Sequence, residues 1–156
     1  MCRKIQIVVM FLFVFSVAAW AQQNPLVGTW KTNPAKSKSY VGAPPLTQVA
    51  KYEAVGTNGV KYTSDRILFD GTKSHIEFTA FFDGSTAPYK GVQNRDAIKI
   101  KKIDAYTYQV FYMKGGETVQ INFWIVSRDG KTLTTVSTGV GSDNKVFNRI
   151  VVADRQ

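Results

Sequence analysis

Apolar and polar side chains alternate through most of this chain. Ile76, Phe78, Ala80 and Phe82 fall on one side of a run whose other side holds His75, Glu77 and Thr79, the period of two expected of an extended strand with one buried face. Val119, Ile121, Phe123 and Ile125 alternate in the same way with Gln120 and Asn122, and the apolar set is expected to face the core. Short runs of this kind are separated by Thr57-Asn58-Gly59, Asp70-Gly71, Asp83-Gly84, Gly115-Gly116, Asp129-Gly130 and Gly141-Ser142-Asp143-Asn144. Asn, Asp and Gly accept the positive φ of tight hairpin turns, so these positions read as reversals between sequential strands. The pattern predicts strands over 26–31, 47–55, 60–69, 74–82, 87–90, 97–103, 106–113, 118–127, 131–138 and 145–152. No segment of helical period and useful length follows residue 21.

The fold these elements predict is all-β: an antiparallel up-and-down meander closed into a single barrel of about 8 to 10 strands. A sheet with one apolar face and no helices to cover it must curl on itself, and a β-sandwich needs longer crossings than these turns provide. One stretch interrupts the meander. Residues 32–45 contain Asn33-Pro34, Lys36-Ser37-Lys38, Gly42 and Pro44-Pro45, and they read as a loop between the first and second strands. A loop of more than about 12 residues suits a lid over a barrel mouth, and a plain surface crossing fits equally well. Residues 91–96 form a second, shorter irregular connection.

The N-terminus lies outside this pattern. Arg3 and Lys4 precede an unbroken apolar run over 7–15, and Ala19-Trp20-Ala21 places small residues where signal peptidase inspects. We expect residues 1–21 to be a cleaved signal peptide, residues 22–156 to form the barrel domain, and the protein to be exported, periplasmic or secreted. The apolar run is shorter than the roughly 20 residues that span a bilayer, and no later segment is long and apolar enough to do so. Cys2, the single cysteine, would leave with the signal, so about 135 residues would hold together by burial without a disulfide. One histidine, His75, and no remaining cysteine leave no metal site and no cofactor to expect.

The chain carries a net charge of +9, and taking off Arg3 and Lys4 leaves +7. These charges are dispersed apart from Lys99, Lys101 and Lys102. On an alternating strand Lys99 and Lys101 stand opposite Ile98 and Ile100, which describes a solvated face and not the basic, aromatic-studded patch of a nucleic-acid binder. The positive balance favours an anionic ligand group or an anionic surface.

Gly28-Thr29-Trp30 on the first strand, within the string Leu26-Val27-Gly28-Thr29-Trp30-Lys31-Thr32-Asn33 and followed by Lys36-Ser37-Lys38, resembles the opening of bacterial exported lipocalin-like proteins. With a meander behind it and Arg149 on the last strand, the chain is similar to the calycins, the superfamily of lipocalins and fatty-acid-binding proteins. The resemblance implies a barrel in which Gly28 lets the first strand bend, Trp30 closes one end and Arg149 packs over its indole. The aspartate-proline-aromatic turn of lipocalins and the helix pair of fatty-acid-binding proteins have no counterpart here. Avidin-like barrels share a Gly-Thr-Trp first strand, but they surround biotin with several tryptophans where residues 22–156 hold only Trp30 and Trp124.

A barrel of this type implies a small hydrophobic or amphiphilic ligand. Alternation places Tyr52, Tyr62, Phe78, Tyr108 and Phe123 toward the interior, with Arg66 on the Tyr62 face as a polar handle for a ligand carboxylate or, alternatively, facing solvent. These side chains either line a pocket or simply fill the barrel. The second case describes a non-carrier module whose outer face or loops contact an envelope or extracellular partner. No enzyme is expected: there is no Gly-x-Ser-x-Gly elbow and no second histidine, and Asp65 with Glu77 reads as a solvated pair. Ser142, Asp143 and Asn144 lack the ligand count for calcium and read as a hairpin turn. The oligomeric state is open.

Overall fold

Tight turns leave each strand little choice of partner, and nearly every strand pairs with its neighbour in the chain. The computed structural model describes residues 24–39, 47–68, 70–141 and 145–156; the expected signal peptide lies outside them. Among these residues the strands are β1 (Gly28–Thr32), β2 (Lys38–Ser39), β3 (Thr47–Val55), β4 (Gly59–Ile67), β5 (Lys73–Phe81), β6 (Asp83–Pro88), β7 (Ala97–Lys102), β8 (Thr107–Lys114), β9 (Glu117–Val126), β10 (Thr132–Val140) and β11 (Val146–Arg155). They form one antiparallel sheet in the order β5-β4-β3-β1-β11-β10-β9-β8-β7-β6, with β2 also paired to β11. The ten strands of that path curl into the up-and-down barrel that the alternation predicts, with first strand joined to last.

Residues 32–39 differ from the expected loop. β1 ends in a short 3-10 turn, Pro34–Lys36, and β2 then resumes along the same edge of β11, Lys38 opposite Ile150 and Ser39 opposite Arg149. Side-chain hydrogen bonds fix this bend. Lys36 N–H donates to Asn33 Oδ1 at 3.3 Å, Asn33 Nδ2 donates to Asp154 at 2.7 Å, and the Lys36 ammonium meets Asp154 at 2.8 Å. The remainder of the proposed lid, 40–46, lies outside the described residues.

One end of the barrel is sealed. Leu26 and Trp30 are completely buried there; the indole N–H donates to Leu26 O at 2.9 Å, and Tyr108 Oη donates to Asn24 Oδ1 at 2.6 Å. The cation over Trp30 is Arg155, 4.2 Å from the ring centroid, and not the predicted Arg149. Strand β11 runs on to Arg155, which is the residue in register with Trp30. Arg149 sits six residues upstream, about 20 Å away along an extended strand. The Arg155 guanidinium donates to Pro25 O, Val27 O and Gly130 O at 2.6, 2.8 and 2.6 Å. Gly28, at φ +146°, makes room for it: a Cβ there would collide with Arg155 Nη1, which explains the glycine of the Gly-x-Trp triplet.

The two ends of the sheet path, β5 and β6, meet at a seam. A single isolated bridge joins Glu77 to Lys90, with Lys90 N–H donating to Glu77 O at 3.4 Å. Gly91, at φ +96°, allows this approach, because a Cβ would run into the carbonyl of His75. Gly91→Ala is expected to cost about 2 kcal/mol through backbone strain and displacement of β5, read as a lower urea midpoint at unchanged m-value.

Candidate functional site

The end of the barrel opposite Trp30 is built from polar residues on the inward side of the strands. Gln48 on β3, Arg66 on β4, Gln120 and Asn122 on β9, Ser137 on β10 and Arg149 on β11 surround a cavity of about 120 Å³, joined by Arg95 from the 91–96 connection. Tyr52, Tyr62, Tyr89, Tyr112 and Trp124 complete its wall, and no acidic side chain lines it among the described residues. An open basin of about 700 Å³ shares Arg66 with this cavity and brings in Leu68, Lys73, Val92, Lys114 and Val119. The mouth is therefore basic with apolar walls.

Strand β9 presents the face opposite to the one expected. Gln120, Asn122, Trp124 and Val126 are buried, while Phe123 and Ile125 are each 38% exposed. A one-residue bulge causes the exchange. From the Gly115-Gly116 turn, Lys114 pairs with Glu117 and Met113 with Thr118, but Tyr112 then pairs with Gln120 and Val119 is left over. Without that extra residue Tyr112 would oppose Val119, and the apolar set would point inward. Because side chains alternate with period two, a slip of one residue turns the whole strand over. Phe123, proposed as a lining residue, accordingly lies on the outer surface.

The arginines have few protein acceptors. The Nε atoms of Arg66, Arg95 and Arg149 are buried without a hydrogen-bond partner, and none of the three forms an ion pair among the described residues. Arg95 is held by a hydrogen bond from Nη2 to Gln120 Oε1, with Gln120 Nε2 donating in turn to Asn122 Oδ1, and it lies 4.8 Å from the centre of the Tyr112 ring. Arg149 stands 4.6 Å from the centre of the Phe147 ring. Burial first, and then the charges of Arg95 and Arg66, push the Arg149 pKa below its ordinary value. Clustering like charges beneath the surface is unfavourable unless an opposite charge joins them. The contrast with Arg155 is direct: both arginines project from the inward face of β11, one saturated by carbonyls and the other with an idle donor.

Beneath the arginines lies an aromatic platform. Tyr62 stacks on Phe78 at 4.7 Å, Trp124 lies nearly parallel to both at 6.4 Å, and Tyr52 meets Tyr62 and Trp124 edge-on at 4.9 and 5.4 Å. Gln48 Nε2 donates to Tyr62 Oη at 2.8 Å and Ser64 Oγ at 2.9 Å, so these groups are oriented in advance. Burial pushes the Tyr62 hydroxyl up to about 12 and the Tyr52 and Tyr112 hydroxyls well above their ordinary value. They stay protonated at neutral pH. The unfolded chain releases these protons near pH 10, so the stability they contribute is complete below that and is lost as pH rises toward 12. The unfolding free energy should fall over that interval, by about 2–3 kcal/mol from Tyr62 alone, and denaturant midpoints with it, while tyrosinate absorbance in the folded protein lags behind that of the unfolded chain.

Of the residues singled out from the sequence, the structure brings Tyr52, Tyr62 and Arg66 together on the cavity and places Phe78 behind Tyr62. Tyr108 is inside the barrel but at its sealed end, against Phe82, and Phe123 is outside. Arg95, Gln48, Gln120, Asn122, Tyr89, Tyr112 and Trp124 were not anticipated, and Arg149 belongs here and not at the closure. The alternation of Tyr108, Val110 and Tyr112 on β8 carried the signal for Tyr112; Arg95, in an irregular connection, had none.

No protein-family model matches the chain, and no curated protein sequence matches it. Among solved structures, Rv2717c from M. tuberculosis is similar over 85% of this chain and 93% of its own at 13% identity, with a TM-score of 0.53. Zebrafish ileal bile acid-binding protein, complexed with cholic acid, aligns over 85% of this chain and 98% of its own at 12% identity and a TM-score of 0.47. The siderocalin Ex-FABP aligns over 85% and 74% at 10% identity and a TM-score of 0.40. At these identities the likeness is one of fold alone.

Proposed function

We propose that this protein is a binding barrel for a small amphiphilic anion, its acidic group held among Arg66, Arg95 and Arg149 and its apolar body resting on the aromatic wall and in the basin above. The observation that carries this reading is the convergence of three buried arginine Nε donors on one cavity without an acidic partner among the described residues. A charge-assisted hydrogen bond to such a donor is stronger than a neutral one, and the low-dielectric surroundings enhance it. At about 120 Å³ the half-open cavity is smaller than the roughly 300–1,000 Å³ of typical ligand pockets, so it suits a headgroup and a small ring more than a long acyl chain. Export from the cytoplasm, expected from residues 1–21, is part of the same proposal.

Two fluorescent probes test it: anilinonaphthalene sulfonate and the uncharged N-phenylnaphthylamine, which share an aromatic body and differ in the acidic group. Saturable binding of the sulfonate, with the neutral probe much weaker, is the expected result. Equal binding of both overturns the arginine seat. The small cavity also favours a second reading, a filled barrel that works through its exterior; it is supported if neither probe binds and native mass spectrometry of protein from its own host shows a clean apo mass.

A further inference from the structure

The bulge that turns Gln120 and Asn122 inward also turns an apolar face outward. Following registered partners across six strands, one row on the exterior reads Lys101, Gln109, Phe123, Val136, Ile150 and Lys38, from β7 through β8, β9, β10 and β11 to β2. The row beside it reads Lys99, Phe111, Ile121, Thr138 and Asn148, and the row on its other side reads Thr107, Ile125, Thr134 and Val152. Phe123, Ile125 and Val136 are exposed, and the same side of the sheet ends in the exposed pair Val140 and Val146. The three rows hold no acidic residue. The nearest acid along the first row is Asp83, the registered partner of Lys101 on β6, and Asp154, farther along β11, is engaged by Lys36 and Asn33.

We propose that this outer face docks on an anionic phospholipid surface, with Phe123, Ile125, Val136 and Ile150 entering the interface and Lys38, Lys99 and Lys101 contacting headgroup phosphates at its two edges. Measured around the curved sheet, the longest row spans about 24 Å at the usual strand spacing, and apolar area flanked by long cationic side chains is what an interfacial contact with anionic lipid uses. A second copy is a poorer occupant. Two such faces in contact would bring lysine edges together with no acid in the rows to answer them, on a chain that already carries +9. The surface is on the outside of the barrel and does not depend on what the cavity holds.

Vesicle sedimentation tests this with phosphatidylcholine vesicles prepared with and without phosphatidylglycerol, every variant carrying the same N-terminus. The wild type should bind the phosphatidylglycerol vesicles preferentially and lose binding as salt is raised. Phe123→Asp should weaken the partition by about tenfold or more, as should Lys38→Glu combined with Lys101→Glu, whereas Phe81→Asp, equally exposed on β5 across the barrel, should leave it unchanged. Phe123→Thr, which keeps a strand-forming residue, gives the same reading if the aspartate variant folds poorly. No preference for anionic vesicles overturns the proposal, as does binding that survives both Phe123 variants. Concentration-dependent self-association abolished by Phe123→Asp, without vesicle binding, assigns the face to a second copy instead.

Discussion

Replacing Arg66 and Arg149 together by methionine is expected to abolish binding of the sulfonate probe and, at the same time, to make the unliganded protein more stable. Methionine keeps the length and apolar stem of each side chain while removing the charge. The loss of affinity follows from losing charge-assisted hydrogen bonds in a partly desolvated cavity, about 1.5–3 kcal/mol for each. The gain in stability follows from the same cluster. Neighbouring guanidinium groups repel one another and Nε atoms without acceptors forfeit their hydration, so removing two of them should return about 1–3 kcal/mol. For a domain of this size that corresponds to a rise of roughly 3–8 °C in Tm. Calorimetry with and without the probe checks both halves: the variant should melt higher than wild type when free, and the probe should shift only the wild type. A variant that both binds weakly and melts lower would show that the arginines hold the barrel together, and the proposed site would fall with it.

Trp30→Ala should have the opposite character. The indole is buried, donates to Leu26 O and lies under the Arg155 guanidinium, so its removal should cost about 3–5 kcal/mol through lost burial and a cavity at the sealed end. Arg155→Met should cost about 1–3 kcal/mol, since three backbone carbonyls lose their donor. The double variant is expected to be less destabilised than the sum, with a coupling of about 1 kcal/mol for the stacked pair. Equilibrium denaturation of the four proteins measures this cycle. Arginine-to-methionine changes at positions 149 and 155, on one face of one strand, are thus expected to move stability in opposite directions.

Most of the barrel could be read from the chain because strand alternation and turn chemistry are local. Asp70-Gly71, Gly115-Gly116 and Asp129-Gly130 each lie between paired strands, and all of these glycines adopt positive φ. What escaped depended on long-range or single-residue effects. The face of β9 was misassigned because apolarity favours Phe123 and Ile125, and nothing in the run itself announces the extra residue at Val119. Along β9, which lines the polar cavity, Gln120 and Asn122 go inward, while on β5, β7 and β8 the apolar side does. The resemblance points to Arg149 because a strand over 145–152 contains no other arginine, whereas continued pairing with β10 and β1 carries it to Arg155. The bend at Pro34–Lys36 reads as loop in sequence, and the ties from Asp154 and Val152 on β11 hold it to the sheet so that pairing resumes at Lys38.

The seam between β5 and β6 has a consequence for how the protein keeps to itself in a crowded solution. Everywhere else on the sheet path each strand has a hydrogen-bonded neighbour on both sides, but along this line two strand edges face each other with one bridge between them. Unpaired edges are templates on which foreign strands add, and they are where a β protein begins to polymerise. Here the edge carries its own deterrents. Pro88 supplies no N–H, the β6–β7 register is broken between Asp83 and Thr86, and the exposed Lys73 and Lys90 add charge on β5 and just after β6. Removing Pro88 or neutralising these lysines would leave the barrel its shape while taking away what stops one molecule from being extended by the next.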